Sequence, residues 1–199
     1  MNTDAAADRV RDEQDLVEQL KQGRKQAFDI LVNRFQKRLL KVAYGITLDQ
    51  EESREIVQDV FTTVFRQIHS FRQDATLYTW LRKITINHCL NWKRKWKRRF
   101  RWHHDPITFE NERIISRENT QMDTPETLMQ KKQFRNRLMD AVKTLPEKTR
   151  VVFVLYALED LSYEEIADFL HIRKGTVASR LYNARKQVTF VLKANASQE

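Results

Sequence analysis

The sequence predicts an all-α fold of two small helical domains joined by a flexible linker, with a helix-turn-helix in the second domain. Only three Gly and three Pro interrupt the 199 residues, so helices must dominate. Apolar residues recur at helical spacing over residues 12–101 and again over residues 130–194. Residues 102–129 between them hold two of the three prolines and no sustained periodicity. A patternless stretch of this length is too long for an internal loop, so we expect a linker.

The charge and the cysteine content restrict the classes of function. A formal net charge of +9 favours a polyanionic partner, because Lys and Arg release condensed counterions from phosphates, although a membrane surface would also fit. No apolar run could span a bilayer and residues 1–12 are polar, so we expect a cytoplasmic protein without membrane insertion. The single Cys89 is expected to be a packed apolar residue, and no Cys or His spacing indicates a metal site or another cofactor.

The first two helices are marked by their apolar faces and their ends. Leu16 and Leu20 share one face of a helix over about residues 15–22, and Gly23 is a candidate left-handed terminator for it. A second helix is expected to follow and to end at about Tyr44.

The third helix has the clearest amphipathic pattern. Asp49 can cap its N-terminus, where Glu51 and Glu52 would interact favourably with the positive end of the helix dipole. We expect its apolar stripe to be core, whereas its polar face could contact a partner helix or be solvated. The stripe consists of Ile56, Val57, Val60, Phe61, Val64, Phe65 and Ile68. The polar face consists of Glu55, Gln58, Asp59 and Thr62.

The fourth helix should run from about Leu77 to Arg99, and its second half is basic and aromatic. Nine Lys or Arg and no acid occur over residues 82–101. Basic groups can hold phosphates while aromatic rings stack on exposed bases, so this mixture suits distorted or single-stranded DNA, and a solvated charge run is the alternative. The interleaved aromatic residues are Trp92, Trp96, Phe100 and Trp102.

The second block contains a helix-turn-helix pattern. Pro146 suits the start of a helix, and Ser162 with Glu165 makes a capping box at the start of another. A brief turn at residues 171–173 precedes a further helix that begins near Gly175. This arrangement, a short helix, a tight turn and a second helix with polar and basic residues, is typical of a DNA-reading unit. Helix hairpins are, however, also common structural elements.

Three groups of motifs, in this order, resemble extracytoplasmic-function sigma factors over residues 14–191. The motifs read EIVQDVF at 55–61, FR at 71–72 and YTWL at 78–81, then LPEK at 145–148, LSYEEIA at 161–167 and GTV at 175–177. They are similar, respectively, to the helix that docks on the β′ coiled coil of RNA polymerase, to the loop and helix that recognise the minus-ten element, and to the domain that reads the minus-thirty-five element.

The resemblance implies a promoter-specificity subunit that binds core RNA polymerase, through the β′ coiled coil and the β subunit, and promoter DNA; it also allows an anti-sigma partner. It implies polymerase binding by Glu55, Gln58, Asp59 and Thr62. Minus-ten recognition, with capture of a flipped base, is implied for Phe71, Arg72, Tyr78, Trp80, Lys83, Asn87, Asn91, Lys93 and Arg94. Minus-thirty-five recognition is implied for Thr176, Ser179, Arg180, Tyr182, Asn183, Arg185 and Lys186.

The chemistry of these residues agrees with the implied roles. An unstacked base needs polar groups for its edges and apolar faces for its rings, and Asn87 with neighbouring aromatic residues supplies both. Lys83 and Asn91 lie four residues on either side of Asn87, so a helix presents all three together. For Trp80, the alternative to a DNA contact is packing in the core against neighbouring helices.

In the last helix we expect Ser179 and Asn183 to touch base edges. We expect Arg180 and Arg185, at the flanks, to contact mainly phosphates.

The chain differs from the family pattern at four positions. Gln73 and His171 stand where relatives often have Gly, and Ala178 and Asn183 stand where basic residues are frequent. A left-handed conformation at His171 would cost on the order of 1 kcal/mol relative to Gly, which a packed domain tolerates.

Two other classes of function compete with this interpretation. An autonomous helix-turn-helix regulator that binds an operator without polymerase explains the second block alone and assigns no role to the first. An enzyme such as a recombinase or nuclease needs clustered acids, a nucleophile or a phosphate loop, and none is recognisable in the sequence, so we expect no catalytic activity.

Overall fold

Every element of the described structure is helical. The structure is a computed structural model that describes residues 3–99 and 125–196. The chain divides into two units, Met1–Glu112 and Arg113–Glu199, and both consist of helices over the described residues. The all-α prediction is therefore confirmed for that part of the chain.

The first unit is arranged around its second helix. Its elements are α1 (Thr3–Lys21), α2 (Lys25–Thr47), α3 (Gln50–Gln67), a 3-10 turn (Ile68–Ser70) and α4 (Leu77–Arg99). Helix α2 packs against α1, α3 and α4, and its Leu31, Leu39 and Ile46 are completely buried. Apolar surface removed from water on three sides of one helix makes this the core of the unit.

The ends of these helices mostly follow local chemistry. The Asp49 side chain accepts a hydrogen bond from the Glu52 backbone N–H at 2.9 Å, which confirms the predicted cap of α3. Gly23 has a φ of +72°, which confirms the left-handed terminator after α1. Helix α1 begins earlier than predicted, and the good helix formers Ala, Arg, Glu and Gln make up seven of the twelve residues 3–14. Helix α2 ends at Thr47, later than predicted.

The second unit begins inside the predicted linker. Its helices are α5 (Pro125–Lys143), α6 (Glu147–Ala157), α7 (Tyr163–Leu170) and α8 (Lys174–Ala196). Residues 125–129 of the predicted linker are therefore helical, with Pro125 at the first helical position, where its missing N–H is not needed. Residues 102–124 of that linker lie outside the described residues, and the domain boundaries stay a prediction.

Helices α7 and α8 form the helix-turn-helix, which confirms that part of the fold prediction. The Ser162 hydroxyl accepts from the Glu165 N–H at 3.2 Å, and the Glu165 carboxylate accepts from the Ser162 N–H at 2.8 Å, so the predicted capping box is present. His171 ends α7 in the left-handed region with a φ of 52°. Helix α8 packs on α5, α6 and α7 and buries Val177, Leu181, Ala184 and Val188.

Candidate functional site

The four residues implied in polymerase binding lie together on the outward face of α3. Glu55, Gln58, Asp59 and Thr62 are all exposed, on the side opposite the buried stripe of the helix. The Thr62 hydroxyl donates to the Gln58 carbonyl oxygen at 3.0 Å and so stays close to the helix. The result is a polar, acidic surface, which we call the α3 face, and its role in binding stays a prediction.

Phe65 corrects the predicted core stripe of α3. Its side chain is 64% exposed, and its ring meets the Phe28 ring edge-on at 5.7 Å between centroids. Phe65 follows Thr62 by three residues, so an aromatic ring borders the α3 face. The prediction that Phe65 belongs to the core was wrong, because periodicity locates the centre of an apolar stripe and not the width that neighbouring helices cover.

The loop before α4 is shaped by its backbone and by one buried ring. Gln73 has a φ of +61°, the left-handed conformation that favours Gly. Phe71 is buried, with its ring centroid 5.1 Å from that of Trp80. The Thr76 hydroxyl accepts from the Thr79 N–H at 3.2 Å and caps the first turn of α4.

A carboxylate from α1 completes the cap of α4. The Glu13 Oε1 atom accepts a hydrogen bond from the Leu77 N–H at 2.6 Å. Negative charge is favourable at a helix N-terminus, where the first N–H groups have no partner within the helix. Glu13 also lines a cleft of about 740 Å³ with Arg34 and Arg38, among other residues. Sequence reasoning missed Glu13, because nothing local marks a contact between residues so far apart along the chain.

Tyr78 is buried in an aromatic and cationic layer. Its ring lies 6.1 Å from that of Phe35 at an interplanar angle of 23°, and the Arg38 guanidinium carbon lies 3.5 Å from the Tyr78 ring centre. Tyr78 is 8% exposed and Phe71 is 5% exposed, so these two proposed DNA contacts present little surface. Both buried rings support the loop before α4.

One side of α4 presents polar side chains to solvent. Lys83, Asn87 and Asn91 are exposed on one face at a spacing of four residues, and we call this the Asn87 face. Of the other residues implied in minus-ten recognition, Arg72 and Arg94 are exposed and Trp80 and Lys93 are half-buried. The structure thus brings the basic and amide groups together on α4, and their contact with DNA stays a prediction.

The outward side of α8 holds the residues implied in minus-thirty-five recognition. Ser179, Tyr182, Asn183 and Lys186 are exposed, Tyr182 by 68% of its surface, and we call this set the α8 face. Thr176 and Arg180 are half-buried beside it.

A cation–π contact and an ion pair hold the flanks of this helix. The Arg185 guanidinium carbon lies 4.9 Å from the centre of the Tyr156 ring, and that ring meets Tyr163 edge-on at 5.7 Å. Lys174 pairs with Glu164 across the turn, and this hydrogen bond lowers the pKa of the Glu164 carboxyl. Arg185 is therefore positioned by an aromatic surface before any ligand binds.

Reactive and metal-binding side chains are sparse over the described residues. Burial raises the pKa of the Cys89 thiol to about 12, which confirms a packed rather than a reactive cysteine. Within residues 3–99 and 125–196, no three His, Cys, Asp or Glu side chains are grouped to hold a metal ion. Over the same residues, no helix combines the length and the hydropathy needed to cross a bilayer.

Comparison with known proteins identifies the family. Sigma-70 region 2 matches residues 31–99, and Sigma-70, region 4 matches residues 135–188. The chain is 34% identical over 179 residues to the ECF RNA polymerase sigma-E factor of Haemophilus influenzae, covering 88% of this chain and 93% of that protein. The RNA polymerase sigma-H factor of Pseudomonas aeruginosa is 32% identical over 178 residues, covering 88% and 91%. The chain belongs to the extracytoplasmic-function sigma factors of the sigma-70 family.

Solved structures share the fold of this sigma factor. The sigma factor RpoE of Bartonella quintana, solved with the anti-sigma factor NepR, has a TM-score of 0.61 and 22% identity, covering 83% of this chain and 96% of that one. CnrH, solved with the cytosolic domain of CnrY, has a TM-score of 0.56 and 21% identity, covering 92% and 97%. At this identity the likeness concerns the fold.

The matched regions contain the α3 face, the Asn87 face and the α8 face. Region 2 spans α3 and α4, and region 4 spans α6, α7 and most of α8. Members of the family are DNA-binding transcription initiation factors that act with core RNA polymerase on promoter DNA, and this is the role of the sigma factor. Glu13 lies outside both matched regions.

Proposed function

We propose that this sigma factor uses three separate surfaces: the α3 face for core polymerase, the Asn87 face with the adjoining loop for the minus-ten element, and the α8 face for the minus-thirty-five element. One observation carries the proposal. The residues of the Asn87 face and the α8 face are exposed, so each can reach DNA without rearrangement of its unit. They are Lys83, Asn87, Asn91, Ser179, Tyr182, Asn183 and Lys186.

Polymerase binding is tested by reversing charge on the α3 face. Asp59→Lys and Glu55→Lys should each weaken binding to core polymerase without unfolding, because both carboxylates are exposed. Glu18→Lys, an exposed charge reversal on α1, is the matched control and should bind normally. Affinity is measured by fluorescence anisotropy, with circular dichroism as a check of the fold. Wild-type affinity in both α3 variants would remove the assigned role of this face.

Minus-ten recognition is tested at Asn87. An amide that holds a flipped base acts after the duplex opens, so Asn87→Ala should reduce open-complex formation more than closed-complex binding. A pre-melted promoter should restore the opening step, although not the full affinity for the captured base. Permanganate footprinting on duplex and pre-melted templates separates the two effects, and equal losses on both would show that Asn87 does not capture a base.

Minus-thirty-five recognition is tested at Asn183. An Asn side chain can pair bidentately with adenine, so Asn183→Arg should redirect preference at one position of the element, with a change of roughly 1–3 kcal/mol in discrimination. Arg180→Ala, a flanking change, should instead weaken binding to all sequences. It should also lower by about one the magnitude of the slope of log affinity against log salt concentration. Transcription from a promoter library randomised across the element reports both. An unchanged preference in Asn183→Arg would contradict base contact by this residue.

We also infer that the sigma factor acts in the cytoplasm, has no catalytic activity of its own and is a target for an anti-sigma partner. The support is its family and the likeness in fold to a sigma factor solved with an anti-sigma factor. Affinity purification of the tagged chain from its host should retain the subunits of core polymerase. Their absence would contradict the proposed role.

A further inference from the structure

An aromatic ring lies at the surface of α3, at a position where the sequence pattern predicts core. Phe65 is 64% exposed, whereas Phe61, one turn earlier, is 6% exposed. At about 100° per residue, Phe65 lies about 20° around the helix from Gln58 and about 60° from Thr62. Both of those residues belong to the α3 face, so the face and the exposed ring form one continuous surface.

Phe28 of α2 supports the exposed ring. The Phe28 ring meets the Phe61 ring edge-on at 6.3 Å between centroids and the Phe65 ring edge-on at 5.7 Å. Phe28 is half-buried, so a row of three rings runs from the core to the surface. A ring supported in this way is ordered before a partner arrives, so a contact with it costs little side-chain entropy. We call Phe65 together with Phe28 the aromatic edge.

The charge beside the aromatic edge selects the class of partner. Glu55 and Asp59 are exposed on the α3 face. Arg66 is exposed two turns beyond Asp59, about 10 Å along the helix axis, and at that distance salt screens most of its charge. Carboxylates repel the phosphates of DNA and of anionic lipids, so neither is a good occupant of this surface. A basic protein helix that carries an apolar side chain complements it.

We propose that the aromatic edge is the apolar anchor of the surface that binds core polymerase. In this proposal Phe65 sets the lifetime of the complex, whereas Glu55 and Asp59 set the rate at which the complex forms. The occupant of the aromatic edge is an apolar side chain on a basic helix of core polymerase. The proposal rests on the proposed function, which assigns core polymerase to the adjoining α3 face.

The division of roles follows from the range of the two interactions. Charges act over about 10 Å in salt solution, so they guide the approach of a partner, but exposed ion pairs contribute little once contact is made. An apolar ring gains free energy only when its surface leaves water, which happens after contact. Truncation of an apolar anchor therefore accelerates dissociation, whereas reversal of a peripheral charge slows association.

The test measures the association and dissociation rates separately. The full-length chain is captured through a tag, and binding of core polymerase is followed by biolayer interferometry at low and at high ionic strength. Phe65→Ala should raise the dissociation rate about tenfold or more at both ionic strengths and change the association rate by less than about twofold. Asp59→Lys should instead slow association, and more strongly at low ionic strength.

Matched variants show whether the ring itself is responsible. Phe65→Tyr keeps the ring and should keep the wild-type dissociation rate, whereas Phe65→Gln removes the apolar surface and should behave like Phe65→Ala. Ile30→Ala is the control, because Ile30 is 50% exposed on α2 and lies about 160° around that helix from Phe28. It should bind as the wild type does. Circular dichroism checks the fold of each variant, and if Phe65→Ala fails to fold, Phe65→Gln and Phe65→Tyr still decide the question.

Three results would overturn the proposal. A wild-type dissociation rate in Phe65→Ala and Phe65→Gln would place the aromatic edge outside the interface. A loss confined to the association rate would show that the ring does not act as an anchor. A wild-type dimer that Phe65→Ala converts to a monomer in sedimentation velocity would assign the aromatic edge to a second copy of the chain.

Failure of the proposed function gives a different pattern. Wild-type rates in Asp59→Lys and Glu55→Lys, with fast dissociation of Phe65→Ala, would refute the role of the carboxylates and retain Phe65 as a polymerase contact. Slow association of the two charge variants, with normal dissociation of Phe65→Ala, would refute the anchor alone.

Discussion

Glu13 should stabilise the first unit and hold the loop before α4 in place. Its carboxylate accepts from the Leu77 N–H at 2.6 Å in a half-buried position. A hydrogen bond to a charged group contributes about 1.5–3 kcal/mol, and partial solvent screening reduces this to about 1–2 kcal/mol here. Glu13→Ala should therefore lower the free energy of unfolding by that amount, which corresponds to a Tm lower by about 4–16 °C for a unit of this size.

Glu13→Gln separates the hydrogen bond from the charge. The amide oxygen can still accept from Leu77, so this variant should lose only the interaction with the helix dipole, about 0.3–1 kcal/mol. Thermal denaturation followed by circular dichroism measures both changes, and Glu18→Ala on the same helix is the control. Affinity for a single-stranded minus-ten oligonucleotide should fall in Glu13→Ala and be restored in Glu13→Gln. A Glu13→Ala variant as stable as Glu18→Ala would refute the reasoning.

Three further outcomes are expected from local contacts in the two units. His171→Gly relieves the left-handed strain at a φ of 52°. Once the larger entropy of Gly in the unfolded chain is subtracted, the free energy of unfolding should rise by about 0.5–1 kcal/mol in thermal melting. Asp168→Gly, within α7, should lower it in the same experiment. Ser162→Ala removes one half of the capping box and should cost about 1 kcal/mol in chemical denaturation; no loss would show that the box is dispensable. Because burial raises the pKa of Cys89 to about 12, its thiol should resist a disulfide reagent at pH 8 until denaturant is added, and fast labelling of folded protein would contradict this packing.

The raised pKa of Cys89 also predicts the direction in which stability changes with pH. A thiol whose pKa rises from 9.0 to about 12 on folding has no effect on stability below about pH 9. Between pH 9 and about 12 the unfolded chain loses its proton first, so the contribution of Cys89 to stability should fall as pH rises. Comparison with Cys89→Ala isolates this contribution from that of other groups.

Much of the fold was determined by the sequence alone. The caps at Asp49 and at Ser162 with Glu165 and the terminator at Gly23 follow from interactions between residues within a few positions of each other. Such interactions act in every conformation in which the helix forms, so local chemistry suffices to predict them. The family could likewise be inferred from the order of the motifs along the chain.

The tertiary structure decided which side chains are available at the surface. Periodicity placed Phe65 in the core, yet its side chain is 64% exposed. The resemblance implied a DNA contact for Tyr78, which is 8% exposed, and that contact stays a prediction. Glu13 meets Leu77 across 64 positions of the chain, a contact with no local signal. In each case the outcome depends on which helix covers the residue, and burial is a property of two packed surfaces rather than of one segment.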